Sequence, residues 1–237
     1  MALISKLTAI AEAIRSKTET TDLLTLDEMP SAIEGIQSGG RTEYLSLYGR
    51  SLVRMFEEVS FPDGTELVIE MPNFGVGNSE QMMLRCFNNA TGLKSIKLKC
   101  NDNGLARSFV MAFAGCRTVE TIDLSEFPVR IMNASQLFNY CESLVEIICE
   151  LDITGSGCDY AFNFCKKLKE VRFKSQCIGN SISFNVSTML SDASIQSIID
   201  GLATVETAKT IAFAKVVKDK LTEAQISQIT SKNWTLA

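Results

Sequence analysis

Hydrophobic residues in the middle of the chain recur in a fixed order of spacings. Phe162, Cys165 and Leu168 lie three residues apart, whereas Val171 and Phe173 lie two residues apart. A spacing of three places side chains on one side of a short α-helical or 3₁₀ segment, and a spacing of two places them on one side of a strand. The pattern therefore predicts a short helical segment followed by a short strand, with all five side chains facing inward.

The same pattern occurs three more times upstream, which indicates a repeat protein. Its first residue is Phe87, Phe113, Phe138 or Phe162, so successive units begin 26, 25 and 24 residues apart. Self-similarity of this kind predicts an α/β repeat solenoid, in which short helical segments alternate with strands of one parallel sheet. The upstream units place these further residues inward: Leu93, Ile96 and Leu98; Val119, Ile122 and Leu124; Leu144, Ile147 and Cys149.

The residues between the inward positions form columns across the outer face of the predicted sheet. Neighbouring strands bring Lys97 beside Asp123 and Glu150 beside Lys174, where each pair can form a salt bridge. We expect this face to be a solvated surface, with a dedicated interaction face as the alternative. The columns are Ser95, Thr121, Glu146 and Glu170; Lys97, Asp123, Ile148 and Arg172; and Lys99, Ser125, Glu150 and Lys174, of which all but Ser95, Thr121 and Ser125 are candidate interaction residues.

Residues 1–38 precede the repeats and are predicted to form a helical module. An apolar stripe runs from Ile4 to Ile14 at helical spacing, and Asp27 is suited to cap a second helix that has Pro30 in its first turn. Two short helices do not bury their apolar stripes by themselves, so they need another surface. The sequence leaves two alternatives open: residues 1–38 form a self-association or docking module, or they cap the repeats.

A short glycine-containing linker is predicted at residues 39–42, before the N-terminal cap of the repeats. In this cap we expect strands around residues 44–48 and 66–71, separated by a turn at Pro62–Gly64. The segment 73–79 contains glycine but lacks the lysine of a phosphate-binding loop, so it is predicted to be an ordinary loop.

The repeat pattern fades before residue 187, and residues 187–237 are predicted to cap the solenoid of residues 43–186. Solenoids need such an end because their last unit otherwise exposes its apolar face. Ser191 precedes a helical pattern, and residues 209–213 read as one more strand. The apolar face of this first helix comprises Ile195, Ile198, Ile199 and Leu202.

The last helix has sequence signals at both ends. Thr222 and Gln225 are spaced as a capping box, and Leu221 and Ile226 are placed as a hydrophobic staple around it. Asn233 is suited to end the helix, because asparagine tolerates the left-handed conformation that often follows a last turn. The residues predicted on its inner face are Ile226 and Ile229.

Eight cysteines and no histidine limit the chemistry of the chain. Cys116, Cys141 and Cys165 share one repeat position with Ala90, which indicates a small buried apolar side chain there. No two cysteines form a C-x-x-C pair, so we predict buried free thiols rather than a zinc site or a disulfide framework. Without histidine the usual general base is missing, and we predict no catalytic, cofactor-binding or metal-binding residue.

The overall composition is that of an acidic soluble protein. The hydrophobic fraction is 46%, the formal net charge is −5 and the pI is about 5.0, so nucleic-acid binding is not expected. No apolar run is long enough to span a membrane, and the first residues lack the apolar core of a signal peptide. With reduced thiols, this predicts a protein made in the cytoplasm.

Paired carboxylates are the one catalytic arrangement that such a surface could offer. Glu150, Asp152 and Asp159 lie close in sequence, and glycoside hydrolysis uses two carboxyl groups that flank the scissile bond. Their spacing does not require such a pair, since most acidic side chains on a repeat surface only solvate it. We expect a non-enzymatic protein, with a carbohydrate-active enzyme as the alternative.

The best copies of the repeat phrase run from Ala112 to Cys116 and from Ala161 to Cys165, each with the order Ala-Phe-x-x-Cys. This phrase resembles the BspA-like class of bacterial leucine-rich repeats, over roughly residues 85–175 of this chain. The repeats depart from that class because they lack Ile-Pro after the strand and Ile-Gly before the next Ala-Phe. The resemblance implies a leucine-rich-repeat-like solenoid.

The two ends of the chain carry a second resemblance. Leu7–Lys17 and Leu24–Pro30 are similar to the N-terminal segment of tail-associated proteins in phages and prophages of Gram-positive gut bacteria, and Leu221–Ala237 resembles their C-terminal ending. The resemblance implies a tail- or fibre-associated structural protein, made in the bacterial cytoplasm and carried by the virion, whose solenoid is an interaction scaffold. The alternative is a bacterial leucine-rich repeat adhesion protein that binds a host protein or a cell-surface glycan.

Overall fold

The computed structural model of the chain describes residues 42–46, 52–71, 83–100, 106–127, 130–154 and 157–237. The predicted helical module over residues 1–38, the first part of the linker and the loop at residues 73–79 lie outside the described residues. Within the described part, the strands pair in parallel and the helices are few and short. The predicted α/β character with a parallel sheet is confirmed.

The largest element is a six-stranded sheet in which every neighbouring pair of strands is parallel. Parallel neighbours need a crossover between them, and here each of the last four crossovers carries one copy of the repeat. In spatial order the strands are β1 (Thr42–Ser46), β2 (Ser60–Met71), β3 (Thr91–Cys100), β5 (Thr121–Glu126), β7 (Glu146–Leu151) and β8 (Glu170–Phe173).

The other strands of the described residues form two smaller parallel sheets. One joins β4 (Ala106–Ser108) to β6 (Arg130–Asn133), and a single bridge continues this ladder from Asn133 to Gly157. The other sheet lies near the C-terminus beside three short helices. Its strands, in spatial order, are β11 (Trp234–Leu236), β10 (Lys209–Phe213) and β9 (Ile182–Phe184), and the helices are α1 (Asp192–Gly201), α2 (Lys215–Lys218) and α3 (Glu223–Ser231).

The segments before the strands are chains of turns, so the predicted short helical segments are wrong at these positions. In each segment three four-residue turns overlap, and the fourth N–H of each turn bonds the first carbonyl. The third residue of the first and last turns has a φ between 53° and 75°, which is characteristic of type II turns and foreign to a helix. The turn segments are residues 52–59, 83–90, 109–116, 134–141 and 158–165.

Alternate N–H groups of each turn segment bond the next segment along the stack, which explains why turns form instead of a helix. Arg85, Phe87 and Asn89 donate to carbonyl oxygens of the segment at residues 109–116, at 2.9, 2.7 and 2.7 Å. A helix would direct these groups along its own axis and leave the neighbouring segment unpaired. We call each turn segment together with the strand that follows it a rung.

A column of phenylalanine rings runs through the core from rung to rung. Phe87, Phe113 and Phe138 are fully buried and stack with centroids 5.5 and 5.7 Å apart. Aromatic rings bury large apolar areas, and offset stacking adds roughly 1 kcal/mol per pair. The column continues at both ends through Phe56, Phe162, Phe184 and Phe213.

A second core column consists of the repeat cysteines, as their shared position predicts. The thiols of Cys116, Cys141 and Cys165 are buried, and each donates to the carbonyl oxygen of the phenylalanine one rung back, at 3.0, 3.0 and 3.1 Å. Burial raises the pKa of Cys116 to about 12 and the pKa of Cys141 well above its ordinary value. All eight cysteines are free thiols.

Strand β7 departs from the predicted alternation of inward and outward residues. Its register with β8 shifts after Glu146, so that Glu150 lies beside Arg172. The shift turns Leu151 into the core and leaves Cys149, the predicted inward residue, only half-buried. Such an irregularity is a β-bulge, and burial of the larger apolar side chain favours it here.

The predicted turn at Pro62–Gly64 lies inside β2 rather than between two strands. The register of β2 with β3 shifts on either side of Thr65, whose hydroxyl donates to the Pro62 carbonyl at 2.7 Å. Gly64 has a φ of 81°, a conformation that suits glycine. The residues that predict a turn therefore form an irregularity within β2, and the strand continues to Met71.

Helix α1 closes the exposed edge of the six-stranded sheet. The hydroxyl oxygens of Ser194 and Ser197 accept hydrogen bonds from the backbone N–H groups of Val171 and Phe173 at 3.0 and 2.9 Å. These serines satisfy donors that an open strand edge would leave unpaired. Ser191 caps the helix, and the predicted apolar face of α1 is buried.

Helix α3 has the predicted capping box between Thr222 and Gln225, and Asn233 follows its end with a φ of 65°. Ile229 is buried as predicted, but Ile226 is exposed, so its predicted inner-face position is wrong. The reason is that α3 meets α1 through amide side chains. The contacts are Gln225 to Gln196 at 3.1 Å, Gln196 to Gln228 at 3.2 Å and Gln228 to Asp200 at 2.7 Å.

Candidate functional site

The first column on the outer face of the six-stranded sheet forms as predicted. Ser95, Thr121, Glu146 and Glu170 occupy equivalent positions on β3, β5, β7 and β8. The carboxylate of Glu170 accepts a hydrogen bond from the Ser191 hydroxyl at 2.8 Å. On the neighbouring strand β7, Glu146 lies directly beside Glu170. This part of the face is acidic.

The second column forms as predicted from β3 to β7, but it does not continue onto β8. Lys97 lies beside Asp123 in the predicted salt bridge at 2.9 Å, and Asp123 lies beside Ile148. The predicted neighbour of Ile148 is Arg172, but the bulge in β7 places Arg172 beside Glu150 instead. Ile148 is left 38% exposed on this face.

The third column is wrong at its first and last steps. Strand β5 carries an extra residue, so Lys99 lies beside Glu126 rather than Ser125. The predicted salt bridge between Glu150 and Lys174 does not form, because the Lys174 ammonium pairs with Asp152 at 3.3 Å.

Most charges near β3 and β5 neutralise each other. The Lys97 ammonium lies 2.9 Å from Asp123 and 2.6 Å from Glu126, and these two hydrogen bonds raise the pKa of Lys97. Burial pushes the pKa of Asp123 upward, but hydrogen bonds from Ser125 and Lys97 outweigh it, so the pKa of Asp123 is lowered. This cluster is a closed ion network rather than an open binding site.

A cavity of about 500 Å³ opens where β5 and β7 end beside β6. It is within the size range of small-molecule sites. Phe109 and Phe127 meet edge to face in its wall, with centroids 6.0 Å apart. The other buried apolar wall residues are Leu124, Ile131 and Leu151.

Charged side chains line the mouth of this cavity. Burial pushes the pKa of Asp152 upward, but hydrogen bonds from the Thr154 hydroxyl, the Lys174 ammonium and the Thr154 backbone N–H outweigh it, so the pKa of Asp152 is lowered. Arg130 and Glu150 are exposed and form no ion pair within the described part of the chain.

Two of the three carboxylates considered as a catalytic pair meet at this cavity. Glu150 and Asp152 both line it, whereas Asp159 belongs to the turn segment of residues 158–165. A glycosidase needs one carboxylic acid with a raised pKa, and the pKa of Asp152 is lowered. Asp152 is therefore suited to remain an anion.

The opposite face of the rungs, formed by the turn segments, carries an exposed aromatic stack. Tyr140 and Phe164 lie face to face in consecutive rungs, with ring centroids 4.2 Å apart. Arg117 lies over the Tyr140 ring at 5.6 Å, and Lys166 lies 5.9 Å from the Phe164 ring. Glu142 joins both cations in ion pairs of 3.5 and 2.8 Å, which holds the stack in one arrangement.

These aromatic residues occupy backbone positions that disfavour them. Tyr140, Tyr160 and Phe164 have φ values of 60°, 55° and 61°, where a bulky side chain is an outlier. Earlier rungs have Glu58, Asn89 and Gly115 at the position of Tyr140, all with a positive φ, so the turn fold sets this conformation in every rung. Tyr160 is nonetheless 67% exposed. We call Arg117, Tyr140, Tyr160 and Phe164 the aromatic patch.

Sequence reasoning missed the aromatic patch because it assigned a helical segment to these positions. A signal was present in the residues that precede the repeat cysteine or alanine, which are Asn89, Gly115, Tyr140 and Phe164. Asparagine and glycine at one repeat position indicate left-handed turn residues. That would have placed Tyr140 and Phe164 in the same column on the surface.

Within the described residues, no three histidine, cysteine, aspartate or glutamate side chains are arranged to hold a metal ion. Among the helices that the structure describes, none has the length and apolarity to cross a membrane. A comparison of the chain with protein-family models, with curated proteins and with solved structures finds no match.

Proposed function

We propose that the protein is a non-enzymatic interaction scaffold that binds another protein through the aromatic patch. Its rungs are the units of a leucine-rich-repeat-like solenoid of the BspA-like class. The recurring Ala-Phe-x-x-Cys phrase and the parallel pairing of consecutive rungs support this assignment. Solenoids of this kind present extended surfaces for partners.

The observation that carries this proposal is the exposure of aromatic side chains at strained backbone positions. Every turn segment imposes a positive φ at these positions, where a bulky residue costs on the order of 1–2 kcal/mol relative to glycine. Tyrosine and arginine are also the residues that most often dominate the binding energy of protein interfaces. Stacking and the ion pairs of Glu142 fix the patch before binding, which lowers the entropy lost on association.

The biological setting that we propose is the tail or fibre of a phage or prophage. The similarity of residues 7–30 and 221–237 to tail-associated proteins supports it. In this setting the chain is made in the bacterial cytoplasm, carried by the virion and joined to other copies through residues 1–38. Removal of residues 1–38 should then lower the molar mass measured by light scattering to that of a monomer. An unchanged monomeric mass with and without these residues would reject self-association.

Antibodies against the purified chain test the setting directly. After prophage induction of the bacterium that encodes the protein, we expect the antibodies to label the tails of released particles in electron micrographs. Label confined to the cell wall of uninduced bacteria would instead support the alternative, a leucine-rich repeat adhesion protein that binds a host protein or a cell-surface glycan. Label at neither place rejects both settings.

Substitution of Tyr160 by asparagine tests the aromatic patch. Asparagine keeps the left-handed backbone, so Tyr160→Asn and Tyr140→Asn should fold while incorporation into particles falls about tenfold or more. The matched control on the other face is Ile148→Ser, which removes an apolar side chain as exposed as that of Tyr140. Normal incorporation of both tyrosine variants would reject the patch as the interface, and loss with Ile148→Ser alone would move the interface to the sheet face.

A further inference from the structure

We infer that the cavity at the ends of β5 and β7 binds a small zwitterion with an apolar side chain, of the chemical class of a free apolar amino acid. This inference goes beyond the proposed protein contact, because the cavity lies at the strand ends and the aromatic patch lies on the turn segments. The two activities use different residues and are tested separately.

The interior of the cavity requires an apolar group. Its wall combines two buried aromatic rings, Phe109 and Phe127, with aliphatic side chains that are at most 5% exposed. The lining contains one thiol, Cys149, which stays uncharged because burial raises its pKa to about 12. An apolar side chain of a ligand that enters the cavity would remove its own surface from water and gain about 25 cal/mol for each Å² of apolar area buried.

The mouth of the cavity requires one positive and one negative group. Of its four charged side chains, Lys174 and Asp152 neutralise each other at 3.3 Å. Arg130 and Glu150 are left without an ion-pair partner in the part of the chain that the structure describes. A guanidinium is matched to a carboxylate by two parallel hydrogen bonds, and a carboxylate accepts hydrogen bonds from an ammonium.

The same charges disfavour other ligand classes. A phosphate or a dicarboxylate would meet one free cation and would be repelled by Glu150, whereas a metal ion would lack a cluster of ligands in the described residues. The two free charges sum to zero, so the ligand that leaves neither unpaired carries both signs. An α-amino acid carries both on one carbon atom, next to the side chain that enters the cavity.

Three probes with one phenyl-ethyl skeleton test the inference by calorimetry on the full chain. L-phenylalanine carries both charges, 3-phenylpropanoate lacks the ammonium and 2-phenylethylamine lacks the carboxylate. We expect L-phenylalanine to bind at millimolar or lower concentration and each of the other probes to bind about tenfold or more weakly. L-leucine serves as an aliphatic probe of the same class. Absence of binding by both amino acids, or equal binding by the three phenyl compounds, would overturn the inference.

Two variants, each lacking one charged side chain, test whether Arg130 and Glu150 recognise the charged groups of the ligand. Arg130→Gln should abolish the advantage of L-phenylalanine over 2-phenylethylamine, and Glu150→Gln should abolish its advantage over 3-phenylpropanoate. Both residues are exposed, so neither change disturbs the core. The matched controls are Arg117→Gln and Glu142→Gln, directly after two of the turn segments, which should leave amino-acid binding unchanged. Unaltered preferences in the cavity variants, or a loss in the controls, would show that recognition occurs elsewhere.

Methyl NMR spectra separate binding in the cavity from binding at any other apolar surface. Addition of L-phenylalanine should shift the methyl signals of Leu124, Ile131 and Leu151, while the signals of the buried Ile211 and Ile229 stay in place. Shifts confined to residues outside the cavity would contradict the inference. Whether the Tyr160→Asn variant is incorporated into particles does not affect this result. Ligand binding in the cavity and protein binding at the aromatic patch are therefore tested independently.

Discussion

The two outer faces of the rungs preserve the repeat to different degrees. On the turn segments, residues at equivalent repeat positions lie side by side, as Tyr140 does with Phe164 and Glu142 with Lys166. On the sheet, the outer columns lose register at bulges in β5 and β7, and Lys174 pairs with Asp152 rather than with its predicted neighbour.

The difference follows from the hydrogen bonds that each face uses. Each turn segment divides its N–H groups between its own turns and the next rung, so an added residue would break both sets at once. A strand accepts an extra residue as a bulge at the cost of one local irregularity. Repeat spacing is therefore a reliable guide to surface neighbours on the turn face and a poor one near the carboxyl ends of the strands.

The largest expected effect comes from the core beneath the turn face. Phe113→Ala removes a fully buried ring from the phenylalanine column and should lower the free energy of unfolding by about 3–5 kcal/mol. The control is Phe164→Ala, which removes a half-buried surface ring and should cost about 1 kcal/mol or less. Urea denaturation of both variants measures the contrast. Equal losses would mean that the surface stack is part of the core.

The thiol column should make stability fall at alkaline pH. Burial raises the pKa of Cys116 from 9.0 to about 12, and raises those of Cys141 and Cys165 as well. The unfolded chain loses these protons above pH 9.0 while the folded chain keeps them. The contribution is thus complete below pH 9.0 and is lost as the pH rises toward 12, by roughly 1 kcal/mol per thiol at pH 10.

Replacement of the three thiols provides the control for this pH dependence. Alanine already stands at the equivalent position as Ala90, so Cys116→Ala, Cys141→Ala and Cys165→Ala combined should fold. Urea midpoints of this variant should fall less steeply between pH 8 and pH 10 than those of the unaltered protein. Parallel pH profiles would show that the thiols do not contribute.

Individual serine side chains of α1 satisfy the backbone N–H groups at the β8 edge of the sheet. Ser194→Ala leaves the buried N–H of Val171 without its acceptor, which should cost about 1–3 kcal/mol. Ser227→Ala on the exposed side of α3 is the matched control and should cost a few tenths of a kcal/mol. Amide hydrogen exchange of Val171 gives a local readout. Unchanged protection of this amide would contradict the capping role of Ser194.

The core of the rungs was predictable from spacing alone. Phe162, Cys165 and Leu168 face inward as their period requires, although the segment that carries them is a chain of turns. A spacing of three is shared by a helix and by overlapping turns, so apolar residues alone do not separate the two. The discriminating residues are Asn89 and Gly115, which tolerate a positive φ.

The candidate site was predictable only in part. Lys97 and Asp123 pair as expected, because no irregularity intervenes between their strands at that point. The cavity depends on the bulge that turns Leu151 inward, and on Arg130 of β6, which is remote in sequence from Glu150. Bulges result from competition between core packing and strand pairing, and no short-range pattern in the chain records the outcome.

The smallest effect that we predict distinguishes the two neighbouring carboxylates of the cavity mouth. Asp152 has a lowered pKa because hydrogen bonds from Thr154 and Lys174 outweigh its burial, so it stabilises the fold above its ordinary pKa of 3.8. This contribution is lost as the pH falls through the lowered pKa of the folded state. Asp152→Asn should therefore cost less than about 1 kcal/mol at neutral pH, and the loss should vanish in acid. Glu150→Gln should cost no more than a few tenths of a kcal/mol at neutral pH, since Glu150 forms no ion pair in the described residues and only neighbours Arg172 across the strands. A larger loss of stability for Glu150→Gln than for Asp152→Asn would contradict this prediction. It would indicate that Glu150 forms the salt bridge with Lys174 that the repeat spacing predicts, in a register without a bulge.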